Sequence, residues 1–152
     1  DIALKLYDEI VKKYPDNTKA LIGMGDCYMK LQTPDKARAC YDQACLKEPN
    51  NSRGWLHSGL LALHNNDNKM ADVCFNKCLD LDTNNDKAYC GLGMVRNNMN
   101  DLDGAVDYFC MSLDSNPENL SACKFLLELS YKLKQFEKID IYILIRSIFT
   151  SL

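Results

Sequence analysis

The sequence has little of what enzymes and nucleic-acid binders usually display. It holds two histidines, one tryptophan and four prolines in 152 residues. His57 and His64 stand two helical turns apart with no carboxylate or cysteine at ligand spacing, so they read as groove or surface residues. No serine or cysteine occupies a nucleophile-type turn, and no Gly-rich loop is present to cradle a phosphate. The chain therefore reads as a non-enzyme that needs no cofactor and no metal. Neither sign of charge dominates: 18 Lys and Arg against 21 Asp and Glu leave a net −3, which excludes a general nucleic-acid binder. No apolar run reaches the ~18–20 residues of a membrane span, and the start at Asp1 shows no signal-peptide pattern. The chain begins as though in mid-repeat, like a piece of something longer, and the cytoplasm is the default location.

Cysteine is the exception to this scarcity. The eight are Cys27, Cys40, Cys45, Cys74, Cys78, Cys90, Cys110 and Cys123. Each falls where a helix wants a small apolar residue. No CxxC pair occurs, so the common zinc spacing is missing, and Cys74 and Cys78, one turn apart, have no second ligand pair nearby. Buried, reduced thiols are the expected state. Asp80, Asp82 and Asp86 with Asn84 and Asn85 faintly resemble an oxygen-rich calcium loop, but the terminal glutamate is absent and a turn is already due there.

A period of 34 residues organises the sequence. Pro15, Pro49, Thr83 and Pro117 keep it. So do Gly25, Gly59 and Gly93, the alanines Ala3, Ala37, Ala71 and Ala105, and the aromatics Tyr7, Tyr41, Phe75 and Phe109. Together with Leu21, Met24 and Tyr28 these columns resemble the tetratricopeptide repeat pattern, W-x2-L-G-x2-Y…A-x3-F…P. The resemblance implies an all-α solenoid of stacked helix–turn–helix units forming a right-handed superhelix. Residues 1–17 then hold the second helix of a truncated repeat. Full repeats occupy 18–51, 52–85 and 86–119, and 120–152 is a degenerate terminal repeat within one domain. In it Leu127 replaces the glycine, Ile139 the alanine and Ile143 the aromatic. Thr33 is expected as the N-cap of a helix opening at Pro34. Asn65–Asn68 is expected to make an inner turn with left-handed backbone. Arg96, where Tyr28 stood, is expected to place a charge near the groove.

In this family the first helices of the repeats line a concave groove. Carried onto this chain, that face holds Lys19, Ile22, Asp26 and Met29; Arg53, Leu56, His57, Leu60 and Leu63; Lys87, Cys90, Met94 and Asn97; and Lys124, Glu128 and Tyr131. Lys19, Arg53 and Lys87 share one repeat position and predict a basic edge for an acidic segment or terminal carboxylate. Chaperone-binding members hold an acidic C-terminal peptide with a two-carboxylate clamp of lysine, asparagine and arginine. Here Ile22 and Asp26 meet the first lysine–asparagine pair, His57 the next asparagine and Gly91 the arginine; Lys87 alone fits, so the clamp is absent. The asparagine ladder of sugar-transferase members is missing too, with Gly23, His57, Gly91 and Phe125 in its places.

The function these residues imply is a non-catalytic protein–protein interaction scaffold that binds a partner peptide or segment, acidic along the basic edge, as part of a larger assembly. Bacterial scaffolds of this type organise organelles, secretion machines or motility apparatus, and the high Asn and Lys content suits an AT-rich genome. A second reading is a regulatory or substrate-recruiting region of a larger enzyme, such as a glycosyltransferase or signalling protein. Single-stranded RNA on the basic edge is disfavoured by the net charge and the few groove aromatics. The segment Phe136–Leu152 is apolar nearly all round. It predicts self-association into a homo-oligomer through Ile141, Leu144, Ile145, Ile148 and Phe149.

Overall fold

The computed structural model describes residues 2–133, and among them every regular element is helical. Eight helices follow in order: α1 (Ile2–Lys13), α2 (Thr18–Lys30), α3 (Pro34–Lys47), α4 (Ser52–His64), α5 (Asn68–Leu81), α6 (Asp86–Asn98), α7 (Leu102–Ser115) and α8 (Leu120–Leu133). Two compact units divide at Thr83 and Asn84. The first holds α1–α5 and the second begins with α6.

The repeat period fixes where helices start. Asn17, Asn51 and Asn85 sit one before α2, α4 and α6, and their side chains accept from the backbone N–H of Ala20, Arg53 and Ala88. Asp67 and Asp101 do the same for α5 and α7, accepting from Met70 and Gly104. Each such cap is worth ~1 kcal/mol because it satisfies a donor that the first turn leaves unpaired. Thr33 stands at the N-cap of α3 and the helix opens at Pro34, as expected, but the capping differs. It occupies the cap position of α3 without a side-chain cap bond, because its hydroxyl donates backwards to the Tyr28 carbonyl at 3.0 Å. Pro34 tolerates the loss, having no N–H to satisfy.

The turn inside each repeat is also set by period. Gln32, Asn66 and Asn100 alone among the described non-glycine residues have positive φ, at 56°, 58° and 62°. Each puts the next residue's N–H on a carbonyl five back: Thr33 to Tyr28, Asp67 to Ala62 and Asp101 to Arg96, at 2.8–2.9 Å. This is the Schellman closure of a helix end. The left-handed residue expected between Asn65 and Asn68 is Asn66.

Close helix approach explains the glycine and alanine columns. Ala37, Ala71 and Ala105 are fully buried. A Cβ on Gly59 would lie 2.7 Å from the Phe75 ring, and one on Gly93 2.6 Å from Phe109. Gly25 stands in the same relation to Tyr41. The core of the first unit gathers Leu21, Ile22, Ala37, Tyr41, Ala44 and Leu61. That of the second gathers Cys90, Ala105, Phe109, Leu113, Ala122, Leu126 and Leu129. There Phe109 stacks on Phe125, with centroids 5.1 Å apart and planes at 7°. None of the eight cysteines is in a disulfide; five are buried, and Cys45, Cys110 and Cys123 are half-buried.

Candidate functional site

Helices α2, α3 and α4 of the first unit bring together a compact polar cluster. Asp26 Oδ1 accepts from the Tyr41 hydroxyl at 2.7 Å and from His57 Nδ1 at 2.8 Å. The Tyr41 and His57 rings lie 5.5 Å apart, tilted by 42°. Burial alone would raise the Asp26 pKa. The hydrogen bonds from His57 and Tyr41, with the nearby charges of His57 and Arg53, outweigh burial and hold it below the usual carboxylate range. Burial, then the Asp26 carboxylate, push the Tyr41 hydroxyl pKa up. Donation from Nδ1 to Asp26 fixes the orientation of the His57 ring. No local motif announces this cluster, since its members come from three helices.

Around it, Lys19 and Arg53 are exposed, Met29 is half-buried and Leu60 is 41% exposed. Three projected groove residues of this unit are corrected. Ile22, Leu56 and Leu63 are buried. Ile22 belongs to the core with Leu21 and Tyr41, because its place on α2 turns it from the open face into the packing between helices.

In the second unit Lys87 is exposed while Met94 and Asn97 are half-buried. Cys90 is the fourth correction: it lies in the core against Phe109 and Leu126, and burial pushes its thiol up to about 11. On α8, Lys124 and Glu128 face each other at 4.0 Å across one helical turn, both exposed, and Tyr131 is exposed beside them. Arg96 sits over the Tyr108 ring at 5.7 Å, so its charge is held against an aromatic face. Two residues of the calcium-like stretch have other work. Asn85 caps α6, and Asp86 Oδ2 accepts from the amides of Asn116 at 3.1 Å and Asn119 at 2.8 Å. Among the described residues no group of three or more His, Cys, Asp or Glu could hold a metal, and no helix is long and apolar enough to cross a membrane. Ile139, Ile141, Ile143, Leu144, Ile145, Ile148 and Phe149 lie outside the described residues.

A second feature of the first unit was not anticipated from sequence. Between α3 and α5, with α4 as floor, lies a pocket of ≈ 670 Å³. Leu61, Ala62 and Cys74 line its buried base, and Leu46, Trp55 and Met70 its walls. Arg38, Asp42 and Asp67 add charge. The Trp55 indole N–H donates to the Pro49 carbonyl at 2.8 Å, which fixes the ring. Cys45 Sγ lies 3.8 Å from Ser58 Oγ. The hint in the sequence was faint: Leu46 and Met70 are large apolar residues outside the repeat columns.

Comparison with known proteins agrees with this architecture. Tetratricopeptide repeat signatures match residues 1–63, 52–85 and 86–119. No curated protein sequence matches the chain. Among solved structures, MamA is similar with a TM-score of 0.77 at 17% identity, covering 97% of this chain and 88% of that one. MamA from Desulfovibrio magneticus RS-1, residues 41 to the end, gives 0.75 at 16%, covering 95% and 81%. The first repeat domain of Spaghetti (RPAP3), solved bound to the HSP90 peptide SRMEEVD, gives 0.71 at 23%, covering 77% and 93%. With repeat signatures across most of its length and paired helices at the same period, the chain belongs to the tetratricopeptide repeat family.

Proposed function

We propose that the chain is a non-catalytic interaction scaffold whose inner face binds an acidic segment of a protein partner. The observation that carries this is the charge balance on α2 and α4. Lys19 and Arg53 are exposed at equivalent positions of adjacent repeats, while Asp26, the carboxylate among them, is already engaged by His57 and Tyr41. Lys19, with Glu48 nearby, and Arg53 thus present exposed positive charge on an open face with Met29 and Leu60 beside it. Lys87 repeats the position in the second unit. Such a face suits an extended or helical segment with carboxylates beside apolar side chains. The RPAP3 domain, solved with an acidic peptide, supports the mode in general but not the clamp, whose residues are replaced here.

The reading extends to a larger assembly in the cytoplasm, with self-association through residues 136–152. The test is capture with the chain as bait, alongside the variant Lys19→Glu/Arg53→Glu. Partners held by the inner face are lost from the variant, and their association slows as salt rises. If the charge-reversed chain captures the same set at low salt, this face is not the docking surface.

A further inference from the structure

We propose that the pocket between α3 and α5 is a second docking site, taking a large apolar side chain flanked by Lys or Arg from a protein partner. It goes beyond the inner-face reading because it occupies the other side of α4. At 3.6 residues per turn, Arg53, His57 and Leu60 fall on one side of that helix and Trp55, Ser58 and Ala62 on the opposite one. The two faces can therefore be occupied independently.

Three observations define the occupant. The base is buried and apolar, while Leu46 and Met70 at the lips are 80% and 53% exposed. Large apolar side chains around a formed cavity mark a surface that gains by being covered. The charge at the pocket is net negative, with Asp42 and Asp67 against Arg38. Both carboxylates bear on the interior, since after burial and Cys45 they push the Cys74 thiol up to about 11. Asp67 is committed to capping α5, which leaves Asp42 as the group to meet an incoming cation. The thiols at the base, pushed up by burial, stay neutral near pH 7 and add no charge of their own. An apolar anchor beside a cation fits this pocket, the reverse of the chemistry proposed for the inner face.

Trp55, the chain's single tryptophan, lines the pocket and reports on it directly. The probes are three synthetic dodecapeptides with a central Leu-Phe pair flanked by lysines, glutamates or glutamines. Titration of the full chain should give a saturable change in Trp55 fluorescence with the lysine peptide, and binding at least about tenfold weaker with the glutamate peptide. Asp42→Asn should weaken the lysine peptide by about two- to fivefold. Leu46→Ser, which removes the apolar lip at an exposed position without adding charge, should weaken all three peptides. Unchanged helical circular dichroism identifies both variants as folded. No saturable response, equal binding of the lysine and glutamate peptides, or binding indifferent to both variants would overturn the proposal. So would a concentration-dependent Trp55 change in the chain alone, which would make the occupant a second copy.

Discussion

Replacing Gly93 by Ala sets two effects against each other. In a helix interior the exchange gains ~1 kcal/mol from backbone propensity. The new Cβ, however, would lie 2.6, 2.7 and 2.9 Å from three ring carbons of Phe109, against an ordinary carbon contact of ~3.5–4.0 Å. The ring would have to retreat by about 1 Å. It is fully buried and stacked on Phe125, so it has nowhere to go without disturbing α8. Overpacking of this kind costs ~1–3 kcal/mol, and contact with three atoms of a confined ring places it near the upper end. The expected net loss is ~1–2 kcal/mol, read as a lower urea midpoint with unchanged slope by helical circular dichroism. Gly54→Ala is the control. Its nearest contacts are the Cys45 sulfur at 3.0 Å and the Cys45 backbone nitrogen at 3.6 Å, and Cys45 is only half-buried and can turn. Here propensity wins and the midpoint holds or rises. Combining Gly93→Ala with Phe109→Leu should recover ~1 kcal/mol relative to additivity. The reasoning fails if Gly93→Ala is as stable as the parent, or if its penalty persists undiminished in the Phe109→Leu background.

Other outcomes follow from the cluster, the thiols and the missing clamp. The folded-state pKa of Asp26 is depressed, so its contribution to stability is present above the unfolded value of ~4 and is lost as pH falls through the folded one. Asp26→Asn should therefore flatten stability against pH below ~4; an identical acid slope would show that the cluster carries no linkage. With a thiol reagent at pH 8, only Cys45, Cys110 and Cys123 are accessible enough to label quickly in the native chain, and denaturation should release the other five. Fast labelling of Cys74, Cys78 or Cys90, each pushed up to about 11, would contradict their burial. Calorimetric titration with the peptide SRMEEVD should show no saturable binding up to millimolar concentration, since Asp26 and Gly91 stand where the clamp needs asparagine and arginine; micromolar binding would mean another residue set supplies the clamp.

The fold was legible because its determinants are local and recur. Pro34, the cap asparagines and the glycine–aromatic pairs act within one helix or between neighbours, so a fixed period exposes them. The position of Thr33 was legible but its bond was not, because a hydroxyl before a helix can face either way, and here the Tyr28 carbonyl accepts from both its N–H and its hydroxyl. Burial along the first helices of the repeats was less legible. Helical phase separates inside from outside on one helix, but Ile22, Leu56 and Cys90 sit at the margin, where the neighbouring helix decides. The Asp26–Tyr41–His57 cluster joins residues of three helices with no spacing rule between them. The pocket is harder still, since it depends on side chains whose positions in the repeat carry no pattern.

Gln32 bears on how this chain can change over generations. It holds the left-handed backbone that Asn66 and Asn100 supply in the next two repeats, yet Gln lacks the short side chain that makes asparagine tolerant of it. A residue with a longer side chain there costs ~1–2 kcal/mol, so a single exchange to asparagine or glycine recovers stability at a turn that touches neither the inner face nor the pocket. A lineage carrying that exchange could tolerate one further disruptive substitution on a binding surface. The least favourable turn of the first unit is thus a reserve from which new partner specificity can be drawn.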